Sequence, residues 1–432
     1  MFGTLALLKS LLEFPARCYH PVTETLMSTN ARIARFVKSH SRDANGPVVV
    51  QVLPALVRGG VERGTVEMAK AVTEAGGRAV VISGGGPMVR HLDRIGAVHH
   101  TLPVGNKNPL TWPGTRGRLR RILVKEGADI VHVRSRVPAW IALPAARALG
   151  LITVSTVHGR FQNSNVLKRF FNRKMLTPDH IIAISNYVRS QIERQFGEQG
   201  KKLSVVHRGV DIETFDATAV AQSRIIRFVD SISLPEDEPV IMLPARPTGW
   251  KGHEILLEAL AKISERKFNC ILLGAADGKR AFVDRLTNYG MKLGLEGRFR
   301  LTHGVDDMPA ALMAADIVVM PSVTPEPFGR VSLEAQAMGR LVVAFDHGGA
   351  AESIIHGRTG WLATPVDAGS LADCLAKALD VTPAQRKTMA EETRAHIEDR
   401  FSTRLMCNST INIYARLLKA RHADGPAGHQ QA

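Results

Sequence analysis

Two glutamates with seven residues between them, Glu326 and Glu334, lie in the run Pro325-Glu326-Pro327-Phe328-Gly329-Arg330-Val331-Ser332-Leu333-Glu334. The prolines flanking Glu326 forbid regular helix there, whereas Glu334 falls about one turn into a helix expected from near Arg330. Phe328-Gly329 therefore leads into a helix N-terminus, whose free N–H groups suit a phosphate. The two carboxylates can then reach opposite ends of one elongated ligand and accept from vicinal hydroxyls, as a sugar and a ribose present them. Two glutamates eight positions apart on an exposed helix would carry no such meaning; the Pro, Phe and Gly setting after a strand is what favours a ligand. A second group, Arg246 and Lys251 in Pro244-Ala245-Arg246-Pro247-Thr248-Gly249-Trp250-Lys251-Gly252, puts a guanidinium and an ammonium on one strand-to-helix loop. That two-pronged cation matches a diphosphate whose negative charge grows as its bond to carbon breaks.

Three weaker signals lie earlier in the chain. Gly59-Gly60, inside Arg58-Gly59-Gly60-Val61-Glu62-Arg63-Gly64-Thr65, lets a backbone approach a ligand closely before a helix starts, but it fits neither G-x-G-x-x-G nor a P-loop. A plain structural turn is an equal reading. His158, beside Gly159 at a strand's carboxyl end, is placed to meet a sugar hydroxyl or to serve only structure. Arg134 and Arg136, with Trp140 behind them, either read anionic groups of an acceptor or form a solvated helix start.

These loops need a scaffold, and the chain supplies one in duplicate. β-rich runs at 48–53, 79–82, 130–133, 153–156 and 181–184 alternate with helical stretches at 61–75, 116–126, 139–149 and 188–196. A second series opens with runs at 240–243, 270–273, 317–320 and 341–344. Alternation of this kind predicts α/β architecture: two Rossmann-like domains facing across a cleft, each a parallel sheet covered on both sides. The expected divisions are an N-terminal extension at 1–46, a first domain at 47–222, a second at 237–395, a C-terminal helix at 396–420 returning to the first domain, and a disordered tail at 421–432. Leu5, Leu8 and Leu12 share one helical face; the first 46 residues form a surface-lying amphipathic helix, or Met27 is the true initiator.

At 432 residues, with 45% hydrophobic and 22% charged, the chain exceeds a single compact core and is not disordered in bulk. Four widely spaced cysteines with no CxxC pair exclude a zinc ribbon and argue against a disulfide framework. The mean hydropathy is −0.02, and no apolar run is long enough to span a bilayer as a helix. Charge is distributed unequally: residues 1–200 carry 28 Lys and Arg against 12 Asp and Glu, so the whole net charge of +16 sits in the first half. That half is expected to face something anionic.

In combination and in order, Gly59-Gly60, His158-Gly159, Arg246, Lys251 and Glu326-Pro327-Phe328-Gly329 through Glu334 resemble the retaining glycosyltransferases of family 4, of GT-B fold, over residues 47–400. The resemblance implies a nucleotide-diphosphate sugar as donor, no cofactor and no metal. By carry-over, Glu326 binds the transferred sugar, Glu334 the ribose, Arg246 and Lys251 the diphosphate, and Phe328 and Gly329 belong to the donor site. It also implies that His158 approaches the sugar and that Gly59 and Gly60 lie near diphosphate and acceptor. In Val206-His207-Arg208-Gly209-Val210-Asp211, Arg208 departs from the family's usual asparagine. The expected reaction is same-face transfer of a hexose, mannose or glucose, to a lipid-linked or saccharide acceptor such as a lipopolysaccharide core. The expected location is cytoplasmic, peripheral on an anionic membrane face. A sugar-nucleotide epimerase of the same plan is one rival. A nucleic-acid binder, suggested by the isoelectric point near 10.0, is another, weakened by an aromatic content of only 5%, so no nucleic-acid partner is expected.

Overall fold

In this computed structural model the structure describes residues 46–57, 59–161, 165–235 and 237–423. Among these, residues 46–207 and 403–423 form one compact unit and residues 208–402 another. The expected N-terminal amphipathic helix and most of the expected tail lie outside the described residues.

The first unit is built on β1 (Val48–Val52), β2 (Arg78–Ser83), β3 (Val98–Thr101), β4 (Ile130–Val133), β5 (Ile152–Val157), β6 (His180–Ala183) and β7 (Leu203–Val205). Its helices are α1 (Gly60–Glu74), α2 (Val89–Arg94), α3 (Trp112–Lys125), α4 (Arg136–Arg147), α5 (Val166–Arg173) and α6 (Asn186–Phe196). All strands run parallel, in the order β3-β2-β1-β4-β5-β6-β7. Central strands such as β1, Val-Val-Val-Gln-Val, are buried on both faces, which is why they read as continuous β-branched runs rather than alternating ones.

The second unit contains α7 (Gln222–Ser231), β8 (Val240–Pro244), α8 (His253–Ala261), β9 (Asn269–Leu273), α9 (Arg280–Lys292), β10 (Phe299–Thr302) and α10 (Met308–Met313). There follow β11 (Ile317–Met320), α11 (Arg330–Ala337), β12 (Leu341–Phe345), β13 (Trp361–Ala363), α12 (Ala368–Leu379) and α13 (Pro383–Phe401). Its parallel order is β10-β9-β8-β11-β12-β13. Helix α12 shows how such helices find the sheet: Leu371, Cys374, Leu375 and Ala378 recur on one face and are all buried.

The same device starts both sheets. Asp129, just before β4, accepts from the Val48 amide at 2.8 Å, and Asp316, just before β11, accepts from the Val240 amide at 2.8 Å. In each case an Asp preceding Ile-Val ties the first strand to the fourth, across the point where the chain changes direction along the sheet. In sheets of this kind ligands bind beyond the carboxyl ends of the strands at that point, which in the second unit are the ends of β8 and β11.

Three boundaries differ from expectation. Edge strands β3, β7, β10 and β13 add to the runs read from the sequence. The stretch from Arg208 to Pro239, expected in part as a linker, folds with the second unit: α7 packs on α10, and Arg224 forms a bidentate pair with Asp307 at 2.6 and 2.8 Å. The C-terminal helix begins at Thr403 rather than 396, because Ser402 is extended and bridges to Val210. That helix, α14 (Thr403–Ala423), belongs to the first unit, where Met406, Cys407, Ile411, Tyr414 and Leu418 enter the core with Val49, Leu53, Met68 and Val72.

Candidate active site

In the second unit the loop after β8 carries Arg246 and Lys251, and the loop after β11 carries Glu326. Gly252 sets the first loop. Its φ is +81°, and a Cβ there would stand 1.8 Å from the carbonyl oxygen of Pro321, so only glycine allows the two loops to touch. The amide of Val323 donates to the Trp250 carbonyl at 2.9 Å, closing the contact.

Lys251 Nζ then donates to Glu326 Oε1 at 2.7 Å, with the two side chains only 14% and 10% exposed. The Ser322 hydroxyl donates to the same oxygen. Lys251 also lies over the Trp250 ring, 4.4 Å from its centroid. Ser322 is oriented in turn by His347, whose Nε2 donates to the Ser322 carbonyl at 2.7 Å; a carbonyl only accepts, so Nε2 carries the proton. A paired charge this far from water is rigidly held, and its strength rises as the dielectric around it falls.

The backbone around Glu326 is clamped from the β12 side. The Gly349 amide donates to the Glu326 carbonyl at 2.8 Å. Gly348, at φ +70°, leaves no room for a Cβ, which would sit 2.6 Å from that same carbonyl oxygen. Beyond Glu326 the chain enters α11 at Gly329, and no side chain caps the helix. Its first N–H groups are therefore left for a ligand, and the helix dipole favours an anion there. Glu334, 8% exposed, reaches back to Arg330 at 3.5 Å, one turn toward this end.

Arg246 is exposed, and its guanidinium makes no hydrogen bond or ion pair among the described residues. Phe328 is a correction in detail: its side chain is buried, with its ring centroid 6.4 Å from that of Phe401, so it anchors the loop and offers a ligand only backbone. His253, the first residue of α8, is buried edge-on to Phe282, and burial above all pulls its imidazole down to about 4, with the charge of Lys251 adding to the effect. Among the described residues no group of three His, Cys, Asp or Glu side chains is arranged to hold a metal ion.

The remaining expected residues lie in the first unit. Gly59, extended and exposed, precedes Gly60, the first residue of α1, and accepts from the Arg63 amide at 3.1 Å; Arg58 lies outside the described residues. His158 directly follows β5 and is half-buried. Arg136 opens α4, exposed, with Nη1 donating to Asn172 at 3.2 Å. Arg134 is neither a solvated helix start nor a surface reader. It is 5% exposed and continues the β4 ladder by donating its amide to Val52, so its side chain turns inward and Nε donates to Gln51 at 2.7 Å.

Sequence reading missed Ser322, His347 and Gly348. The signal was available for the last two: His347-Gly348-Gly349 follows a fully buried strand just as the loops after β8 and β11 do.

Residues 58–214 match the family described as Glycosyltransferase Family 4, and residues 226–396 that described as Glycosyl transferases group 1. A glycosyltransferase from Rickettsia africae ESF-5 has a similar structure, with a TM-score of 0.80 and 32% identity over 87% of this chain and 99% of that one. D-inositol 3-phosphate glycosyltransferase 2 of Catenulispora acidiphila is 30% identical over 250 residues, 56% of this chain; the match spans only 57% of that protein's length. HepE of Anabaena, solved in complex with UDP and glucose, shares the fold at a TM-score of 0.73 and 22% identity, over 86% of this chain and 100% of that one. The two parallel-sheet units are thus matched by relatives along nearly the whole described chain, which belongs to the GT-B glycosyltransferases.

Proposed function

We propose that this chain is a retaining, metal-independent glycosyltransferase that moves a hexose, mannose or glucose, from a nucleotide-diphosphate sugar to a lipid-linked or saccharide acceptor. One observation carries the reading: the Lys251 ammonium and Glu326 carboxylate meet at 2.7 Å beside the uncapped start of α11. Glu326 accepts from hydroxyls of the transferred sugar, Glu334 from the ribose, and the diphosphate lies against the α11 N–H groups, Lys251 and Arg246. As the bond between the anomeric carbon and the β-phosphate oxygen breaks, charge gathers on that oxygen. Lys251 and Arg246 stabilise it without a metal ion. The acceptor hydroxyl forms the new bond on the same face, and its proton passes to the departing diphosphate.

Two observations on relatives support the donor class: structures of HepE from Anabaena hold UDP in one case and UDP-glucose in another. The test is a thermal-shift screen of nucleotide sugars, followed by product analysis with and without a chelator. A donor at a hundred times its Kd adds about 2.7 kcal/mol of stability. The expected product keeps the donor's anomeric configuration and forms at the same rate with chelator present. An inverted product, chelator-sensitive turnover, or a screen in which no nucleotide sugar raises the melting temperature overturns the proposal.

A further inference from the structure

From Arg94 to Pro178 the chain carries fifteen Lys and Arg but only two acids, Glu126 and Asp129. Both acids are spent inside the fold. Glu126 is 5% exposed and pairs with Arg78 and with His100, the latter at 2.8 Å, while Asp129 caps β1. The surface that this stretch builds is therefore cationic, with no acid of its own to offset it.

The same surface carries large apolar side chains in water. Leu110 is 88% exposed, and Val166, Leu167 and Phe170 on α5 are 82%, 78% and 64% exposed. Leu167 and Phe170 line one groove of about 810 Å³, whose walls include Trp112, Trp140 and Phe171 and whose lining includes Lys107, Arg136 and Lys168; Leu110 and Val166 are the chain neighbours of its lining residues Pro109 and Leu167. The wall is fixed: Trp140 stacks on Phe171 at 5.7 Å and donates Nε1 to the Phe171 carbonyl, and Lys174 lies 5.3 Å above the Trp140 ring. Aliphatic groups projecting from a cationic, aromatic-walled face do not suit a purely polar partner. They suit a boundary where phosphates lie above hydrocarbon.

We propose that this face docks on an anionic phospholipid bilayer, with Leu110, Val166, Leu167 and Phe170 entering the headgroup–acyl boundary and Lys107, Arg136 and Lys168 on lipid phosphates. This goes beyond the transfer reading, and its test needs neither donor nor acceptor, so either can fail alone.

The full chain is sedimented with vesicles of pure phosphatidylcholine and with vesicles containing about one-third phosphatidylglycerol. Binding is expected only to the anionic vesicles, and it weakens as salt is raised. Each cation near such a surface contributes about a fivefold gain in partitioning, so K107Q/R136Q/K168Q should bind about a hundredfold more weakly. L167S/F170S should lose at least about tenfold. All five positions are exposed, and an unchanged melting temperature confirms that the variants fold. Equal binding to both vesicle types, binding that survives both variants, or salt-sensitive affinity for DNA with no vesicle binding overturns the proposal.

Discussion

The pair between Lys251 and Glu326 allows fold and chemistry to be separated in one mutant cycle. Lys251→Met keeps the side-chain bulk but strands a carboxylate that is 10% exposed and retains only the Ser322 hydroxyl among its partners named above. Breaking a pair this enclosed costs roughly 3 kcal/mol. For a unit the size of residues 208–402 that is about 6–12 °C in melting temperature. Glu326→Gln costs less, roughly 1–2 kcal/mol, because the freed ammonium can extend along its four-carbon stem toward water. The double variant leaves no unpaired charge and should lie within about 1 kcal/mol of the parent, giving a coupling of roughly 3 kcal/mol. Activity should not follow stability. Each single variant and the double should lose on the order of 10²–10³ in turnover, since each removes a group proposed above to face the leaving diphosphate or the sugar. Scanning calorimetry supplies the first quantity and product formation from donor and acceptor the second. Additive stability losses, or a double variant that regains turnover with its stability, would refute the reasoning.

Three other outcomes are expected. Gly252→Ala forces a methyl into the Pro321 carbonyl, 1.8 Å away at φ +81°, and should abolish donor-induced thermal stabilisation while lowering the melting temperature of the second unit. His253 titrates near 4 in the fold against an ordinary 6.5, so the unfolded chain binds the extra proton between those values. Its contribution is complete above about pH 6.5 and fades as pH falls to about 4, roughly 3 kcal/mol in all, and His253→Gln should flatten that part of the stability profile measured by urea unfolding. Tyr414→Phe removes the hydroxyl that shares a 2.6 Å hydrogen bond with buried His132 Nδ1; a loss of about 1–3 kcal/mol in the first unit is expected by denaturant titration, and none in donor affinity.

The doubly wound plan was legible because the central strands are buried on both faces and therefore spell Val-Val-Val or Ile-Val-Val without interruption. The edge strands were not: Val98-His99-His100-Thr101 and Phe299-Arg300-Leu301-Thr302 are only half-buried, and their polar residues hide the pattern. Lys251 and Glu326 could be named from loop chemistry, but their direct pairing depends on Gly252 bringing two loops together, which no local spacing reports. Arg134 misled because charge type suggests a surface. Its burial follows from strand pairing, which sets Gln51 opposite His132 and Val52 opposite Val133 and so supplies an interior partner. The end of α13 was equally hidden, since Ser402 departs from helix to pair with Val210, almost two hundred residues earlier.

Helix α14 has a consequence for how the chain is made. The His132–Tyr414 contact joins positions 282 residues apart, so during synthesis the first sheet emerges long before the helix that covers part of it. Until the codons for 403–418 are read, Met68, Val72 and their neighbours lack Met406, Ile411 and Leu418 as partners. The newborn amino-terminal half thus waits beside the ribosome with an apolar strip uncovered, a natural client for chaperones, while the later half can already finish on its own. A stop codon near position 402 would cripple the portion translated first.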